Sequence, residues 1–136
     1  MADQPSLGAD FARALARKDA PGLQALLAPE VDFRALTPRR NWEAQDPDGV
    51  LAIVFDNWFE DSDEIDSLEQ IESDSFADRQ RVGYRLVVSN PEGRFLIEQQ
   101  AYLSAGDGQD GRDDSGKIAW MRVVCSGYRP LADGQS

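Results

Sequence analysis

One predicted β-strand carries the side chains best suited to chemistry. The segment RFLIEQQAYLS, residues 94–104, alternates apolar and polar side chains but has Glu98, Gln99 and Gln100 at its centre. Because successive side chains of a strand point to opposite faces, at least one of these polar groups must face the apolar side of the sheet. A buried carboxyl group suits a general acid or base near neutral pH. Glu98 is therefore the predicted catalytic residue, and an ion pair with an arginine or a place at a wet rim is its structural alternative.

The composition restricts the chemistry further. The 136 residues include no histidine, which excludes imidazole acid–base catalysis, histidine-activated nucleophiles and most zinc sites. No cofactor is predicted. The net charge of −11 repels phosphates and anionic lipids, so we expect neither nucleic acid nor a membrane as a partner. A single cysteine, no signal-like N-terminus and no long apolar stretch predict a cytoplasmic protein.

Apolar periodicity predicts three helices in the first half of the chain. The first covers 7–18, with Ser6 as its N-cap. Asp19 is the predicted N-cap of the second helix. The third covers 46–59 and has a broad apolar face.

Alternation with period 2 predicts one early strand and a later meander of four. Helices followed by a run of strands indicate an α+β fold, with the helices on one side of a curved sheet, in a single domain over 1–136. The terminal segments and the acidic loop AGDGQDGRDDSG are predicted to be flexible, and they cover 1–5, 105–116 and 131–136. The predicted strands are 31–37, 65–76, 80–89, 94–104 and 117–127.

The turn SNPEGR, 89–94, determines which face Glu98 occupies. A three-residue loop ending in a left-handed glycine would pair Asn90 with Arg94. With this register Glu98 faces the helices, although a slip of one residue would invert the assignment. The other predicted ligand-binding residues on this interior side are Tyr84, Gln100, Tyr102, Phe33, Trp42, Phe55, Trp58, Met121 and Cys125.

The opposite face of the sheet is also too apolar to face water alone. It is therefore the predicted interface of a homodimer. The residues predicted to form this interface are Val87, Ile97, Leu103, Trp120 and Val124.

Other candidate features have simpler alternatives. Cys125 could act as a nucleophile, but no cation is placed to activate it, so it also suits a small buried apolar residue. Arg34, Arg39 and Arg40 could attract an anion to a pocket mouth or could lie in a solvated loop. The segment DSDEID, 61–66, resembles the start of a calcium-binding loop but lacks its glycine.

Three longer segments resemble the nuclear transport factor 2-like superfamily. These are FARALARKDAPGLQALLAPEVDFRA, DGVLAIVFDNWF and GKIAWMRVVCSGYRP. The resemblance is to its SnoaL-like and ketosteroid isomerase-like branch, and VDFRALTPRRNWE, EQQAYL and WMRVVCSGYRP resemble a bacterial subgroup. It implies a conical, curved mixed or antiparallel sheet wrapped around three N-terminal helices, an apolar pocket and a dimer. The resemblance also aligns Ala35 with the catalytic base of ketosteroid isomerase. It aligns Phe11 and Gln100 with the two residues of that enzyme that bind the oxyanion.

Two functional hypotheses follow. The chain is a pocket protein that binds a small, mostly apolar molecule and acts on it by metal-free acid–base chemistry as an isomerase, cyclase or hydrolase. Alternatively, it is a non-catalytic dimeric scaffold or accessory domain that associates through the outer sheet face. An open cavity containing Glu98 would favour the first hypothesis, whereas a filled interior would favour the second.

Overall fold

Three short helices and a π-helix form one layer of the structure. The computed structural model describes residues 7–38, 40–76, 79–106 and 116–131. The predicted Ser6 cap and most of the segments predicted to be flexible lie outside these ranges. The helices are α1 (Leu7–Ala16), α2 (Ala20–Ala25), α3 (Pro47–Leu51) and a π-helix (Ala52–Trp58) that continues α3. None of the helices in the described ranges is long and apolar enough to cross a membrane.

The starts of α2 and α3 follow from capping side chains. Asp19 accepts a hydrogen bond of 3.0 Å from the Gly22 amide, and Asp46 accepts one of 2.7 Å from the Gly49 amide. Each satisfies an amide that has no partner within the helix; the sequence predicts Asp19 as an N-cap and Asp46 as the start of the third helix. The widened turns of the π-helix end where the Phe59 amide donates to the Val54 carbonyl at 2.8 Å.

A seven-stranded mixed sheet forms the second layer and confirms the α+β class. Its main order is β2-β1-β6-β5-β4-β3, with β7 paired to β5. The β1–β6 pair is parallel, and the others are antiparallel. The strands are β1 (Leu27–Thr37), β2 (Arg40–Ala44), β3 (Glu64–Phe76), β4 (Arg79–Asn90), β5 (Gly93–Ala105), β6 (Ile118–Cys125) and β7 (Arg129–Pro130).

Strand β2 occupies a segment for which the sequence analysis predicts no strand. Its five residues pair antiparallel with the second half of β1, and Trp42 lies opposite Ala35. The pairing places Trp42 on the core side of the sheet. Local composition does not predict this strand, because its partner provides the hydrogen bonds that hold it extended.

The register of β5 differs by one residue from the prediction. Asn90 pairs with Gly93, so the hairpin loop contains only Pro91 and Glu92. The Asn90 side chain accepts a hydrogen bond of 2.8 Å from the Glu92 amide, and Gly93 has a φ of 136°. A side-chain bond inside the turn and a glycine at positive φ together close the shorter loop.

The shorter loop reverses the two faces of β5 but leaves those of β4 and β6 as predicted. Gln99 lies opposite Tyr84 on one side and opposite Cys125 on the other. The core between sheet and helices is made of large, fully buried side chains. Those from the sheet include Phe33, Tyr84, Leu86, Ile97, Gln99, Leu103, Ile118 and Met121, and those from the helical layer include Phe11, Leu15, Leu23 and Phe59.

Candidate functional site

A cluster of three hydrogen-bonded side chains, Tyr84, Gln99 and Cys125, lies on the core side of strands β4, β5 and β6. The Tyr84 hydroxyl donates a hydrogen bond of 2.5 Å to Gln99 Oε1, and Gln99 Nε2 donates one of 3.4 Å to Cys125 Sγ. The Gly127 amide donates a second bond of 3.4 Å to the same sulfur. Gln99 is 0% exposed and Tyr84 is 1% exposed, so this polar group is held within the apolar core.

Burial raises the pKa of Tyr84. Loss of hydration moves this pKa far above its usual range, and the neighbouring Cys125 adds to the shift. The phenol, which is neutral at physiological pH like any tyrosine, therefore also stays neutral in alkaline solution and acts as a hydrogen-bond donor. A ligand oxygen could replace Gln99 as its acceptor, whereas a proton could be removed from it only by a strong base.

Three aromatic side chains, Phe33, Trp42 and Trp58, lie together on the same side of the sheet. Phe33 and Trp58 have ring centroids 6.2 Å apart, and Trp42 meets Trp58 edge-on at 6.2 Å. Trp42 Nε1 donates to Thr37 Oγ1 at 2.8 Å. Trp58 Nε1 is buried and has no hydrogen-bond acceptor among the described residues. An unpaired buried donor is unfavourable by about 1–3 kcal/mol, so this indole N–H is available to a ligand acceptor.

Seven of the predicted site residues lie in or against the core. Phe33, Trp58, Tyr84 and Met121 are buried. Trp42, Phe55 and Cys125 are partly buried and pack against the core cluster. The structure brings the aromatic side chains together as an apolar wall and places Tyr84 with Cys125. Their roles in binding remain predictions.

Glu98, Gln100 and Tyr102 do not face the core as predicted. The one-residue change in the β5 register places all three on the outer face. Glu98 Oε1 lies 2.9 Å from Arg85 Nε, with side-chain exposures of 41% and 42%. Tyr102 is 39% exposed. Glu98 thus adopts its alternative structural role, an ion pair, and it lacks the buried environment on which the catalytic prediction depended.

The displaced residues belong to a polar network on the outer face. Arg81 Nη1 donates to Gln100 Oε1 at 3.1 Å and pairs with Asp74 at 3.2 Å. A small pocket of about 120 Å³ lies beside this network, lined by Gln70, Glu72, Gly83, Tyr84, Arg85, Glu98 and Gln100. The closely spaced charges and amides satisfy each other, which explains how a polar strand centre is accommodated at the surface.

The sequence analysis missed Gln99 and Asp63. The predicted register, with Glu98 facing the helices, turns Gln99 to the outer face, although the odd-numbered positions between 95 and 103 are otherwise Phe95, Ile97, Ala101 and Leu103. Their apolar character was the signal that could have identified the core side.

Asp63 is 8% exposed and organises the loop after the π-helix. It accepts hydrogen bonds from the Glu60 amide at 3.1 Å, from Asn90 Nδ2 at 2.8 Å and from the Tyr128 hydroxyl at 3.0 Å. Lys18 Nζ donates to the carbonyls of Glu60 and Asp63. Burial, followed by the charge of Asp63, raises the pKa of Tyr128 above its usual range. These bonds give Asp63 a structural role that its acidic sequence context does not reveal.

The predicted dimer face requires a related correction. Ile97 and Leu103 point into the core and are 0% exposed, because the one-residue change of register turns the odd-numbered side chains of β5 toward the core. Val87 is 3% exposed, so it is buried and does not form part of an exposed face as predicted, whereas Val124 lies on the outer face and is 56% exposed. Trp120 also lies there, between the guanidinium groups of Arg79 at 3.9 Å and Arg122 at 4.5 Å from its ring centroid.

Solved structures share this architecture at low sequence identity. An LEH-like epoxide hydrolase of M. tuberculosis matches with a TM-score of 0.63 and 10% identity, over 88% of this chain and 80% of that one. A protein of ketosteroid isomerase-like fold from Catenulispora acidiphila, in complex with trimethylamine, matches with a TM-score of 0.63 and 10% identity, over 89% of this chain and 85% of that one. An NTF2-like protein from Burkholderia xenovorans matches with a TM-score of 0.61 and 16% identity, over 88% of this chain and 86% of that one.

No protein-family model matches the sequence, and no curated protein matches it. The structural matches extend over most of both chains and agree on a curved sheet with N-terminal helices. The chain therefore has the fold of the nuclear transport factor 2-like and ketosteroid isomerase-like proteins, as the sequence resemblance implied.

Proposed function

We propose that this chain binds a small, mostly apolar molecule between the core face of the sheet and the helices. The core around this position is filled by large buried side chains, so a ligand would enter by displacing some of them. The observation that carries the proposal is the buried Trp58 Nε1, which has no acceptor among the described residues. A ligand carbonyl or hydroxyl oxygen in contact with this donor would satisfy it. The aromatic wall of Phe33, Trp42 and Trp58 would contact the apolar body of the same ligand.

The Tyr84–Gln99 pair supplies a second polar anchor. A ligand hydroxyl inserted between the two side chains would accept from the Tyr84 hydroxyl and donate to Gln99 Oε1, so neither group would lose its hydrogen bond. Small side chains at Ala35, Ala101 and Val123 lie between this pair and the aromatic wall along adjacent strands. Solved structures of the same fold that are described as an epoxide hydrolase or as a complex with trimethylamine support a small-molecule role.

The geometry supports binding more directly than carboxylate catalysis. The core-facing positions of β4, β5 and β6 carry no carboxylate, and Glu98 is paired with Arg85 on the other face. Among the described residues, an acid–base step near this site would have to use the Tyr84 phenol, the Cys125 thiol or the buried Asp63, which is linked to the Trp58 carbonyl through the Tyr128 hydroxyl. We therefore propose a binding function that does not depend on Glu98.

A ligand screen with matched tryptophan variants tests the proposal. Thermal-shift measurements with steroids, aromatic polyketides and terpenoids should identify a stabilising compound, since a ligand at 100 times its Kd adds about 2.7 kcal/mol. Trp58→Phe removes the indole N–H and should weaken binding about tenfold. Trp120→Phe, on the outer face, is the control and should leave the Kd unchanged. No stabilising compound, or equal effects of the two variants, would contradict the proposal.

Self-association through the outer sheet face is a second candidate function. Three large apolar side chains within the described ranges are more than a third exposed, and Leu36, Tyr102 and Val124 all lie on this face. Such a patch is typical of an interface between copies. Sedimentation velocity should show a dimer that Val124→Asp dissociates, while Asp56→Asn at the exposed π-helix leaves it intact. A monomer at every concentration would exclude this candidate.

A further inference from the structure

A groove on the outer face lies apart from the proposed core site. It has a volume of about 310 Å³, within the range of small-molecule sites of about 300–1,000 Å³. The side chains on the outer face of three adjacent strands form two rows across it. One row is Glu43–Arg34–Arg122, and the next is Asn41–Leu36–Val124.

The second row provides an exposed apolar floor. Leu36 and Val124 are direct partners across the parallel β1–β6 pair, and they are 51% and 56% exposed. Exposed single apolar residues are ordinary, but two adjoining ones inside a groove create a surface from which a ligand hydrocarbon can displace water. This row is therefore suited to the apolar part of a ligand.

The first row provides a guanidinium with unused hydrogen-bond donors. Among the described residues, Asp32 is the only carboxylate within ion-pair distance of Arg34, with Oδ1 at 3.9 Å from Nε. Asp32 instead binds Arg122, which donates to Oδ1 at 3.3 Å and to Oδ2 at 3.2 Å. Two guanidinium groups thus share one carboxylate, and the Arg34 side chain is 59% exposed. A planar guanidinium in this state is suited to a carboxylate ligand.

Glu43 limits the kind of anion that fits. It is the cross-strand partner of Arg34 on the opposite side from Arg122, and it is exposed. Its negative charge opposes a multiply charged ligand such as a phosphate ester, and it competes with any anion for Arg34. A single carboxylate held between Arg34 and Arg122, with a short hydrocarbon chain over the next row, matches this arrangement of charge and apolar surface.

We infer that this groove binds a small monocarboxylate with an apolar chain, such as a short fatty acid. The carboxylate contacts Arg34 and the hydrocarbon covers Leu36 and Val124. This site is separate from the one around Trp58, and its ligand is selected by charge in addition to apolar contact.

A titration with sodium octanoate followed by two-dimensional amide NMR tests this inference. The amides of residues 34–36 and 122–124 should shift, and 1-octanol at the same concentrations should leave them unchanged. Arg34→Gln should weaken octanoate binding about tenfold, as expected for the loss of one charge-assisted contact. Glu43→Gln should tighten binding, because it removes the competing charge. Arg13→Gln, which removes an arginine of similar exposure at 53%, should not change it.

Four outcomes would overturn the inference. The first is an unchanged Kd in Arg34→Gln, and the second is equal binding of octanol. The third is a shift of the groove amides with protein concentration alone, which would show that a second copy covers the groove. Shifts confined to residues around Trp58 and Gln99 would also exclude the groove while supporting the core site, so the two proposals can fail independently.

Discussion

The Tyr84 hydroxyl and Gln99 Oε1 lie 2.5 Å apart at the centre of the core, where neither side chain is more than 1% exposed. They come from adjacent strands and are direct partners in the antiparallel pairing of β4 with β5. A buried amide needs partners, and the tyrosine and the cysteine on its two sides provide them. The polar centre of the segment EQQ therefore contributes one residue, Gln99, to the interior.

Removal of the Tyr84 hydroxyl should destabilise the fold. Tyr84→Phe leaves Gln99 Oε1 buried without its donor, which should lower the free energy of unfolding by about 1–3 kcal/mol. Urea denaturation measures the change. The double variant Tyr84→Phe/Gln99→Leu removes both polar groups and should be less destabilised than the sum of the single variants. Strict additivity would show that the hydrogen bond contributes nothing.

Stability should fall in alkaline solution. The pKa of Tyr84 is raised by burial in the folded state, whereas the pKa of an unfolded tyrosine is about 10. The contribution of Tyr84 to the free energy of unfolding is complete below the pKa of the unfolded tyrosine. It is lost as pH rises from there toward the higher pKa of the folded state, because in this range only the unfolded state releases the proton. The expected slope is about 1.4 kcal/mol per pH unit for this group. Urea denaturation from pH 8 to 11 measures it, and Tyr84→Phe should reduce the slope.

Glu98→Gln should have little effect on either stability or ligand binding. The Glu98–Arg85 pair is about two-fifths exposed on both sides, and exposed ion pairs contribute about 0–1 kcal/mol. Because Glu98 lies on the outer face, a ligand that stabilises the parent chain should stabilise this variant equally in a thermal-shift titration. A variant that keeps its fold but loses ligand binding would restore the catalytic or binding role predicted from the sequence.

Asp63→Ala should be among the more damaging single substitutions. It leaves the Glu60 amide and Asn90 Nδ2 without their shared acceptor, while the Tyr128 hydroxyl keeps the Trp58 carbonyl at 2.7 Å. Hydrogen bonds to a charged group contribute about 1.5–3 kcal/mol each, so we expect a loss of at least about 2 kcal/mol in urea denaturation. Asp61→Ala in the same acidic segment is exposed and serves as the control. Equal effects of the two substitutions would contradict the structural role of Asp63.

Gly8→Ala should test the close approach of α1 to β4. A Cβ at Gly8 would lie 2.7 Å from the Val82 Cβ, which is closer than two carbon atoms can approach. Overpacking of this kind is unfavourable by about 1–3 kcal/mol and opposes a gain in helix propensity of about 1 kcal/mol. We expect a lower Tm by calorimetry, and Val82→Ala in the Gly8→Ala background should recover part of it. A Tm above that of the parent chain would show that α1 can move away from the sheet.

The sequence by itself determined the class of fold, the N-caps Asp19 and Asp46 and the core faces of β4 and β6. Each of these follows from local rules. A capping side chain reaches its own helix, and the apolar residues of a strand share one face whatever the neighbouring strands are.

The tertiary structure alone decided the existence of β2 and the environment of Asp63, whereas the core face of β5 is also indicated by its apolar side chains at 95, 97, 101 and 103. One extra residue in the loop after Asn90 would have turned Glu98 toward the core instead of Gln99; the observed register buries the apolar odd-numbered side chains and is accompanied by a side-chain hydrogen bond inside the turn. Asp63 gains its partners from segments 27 and 65 residues distant along the chain. Contacts between segments far apart in sequence leave no local pattern, and they decide which polar side chains become part of the site.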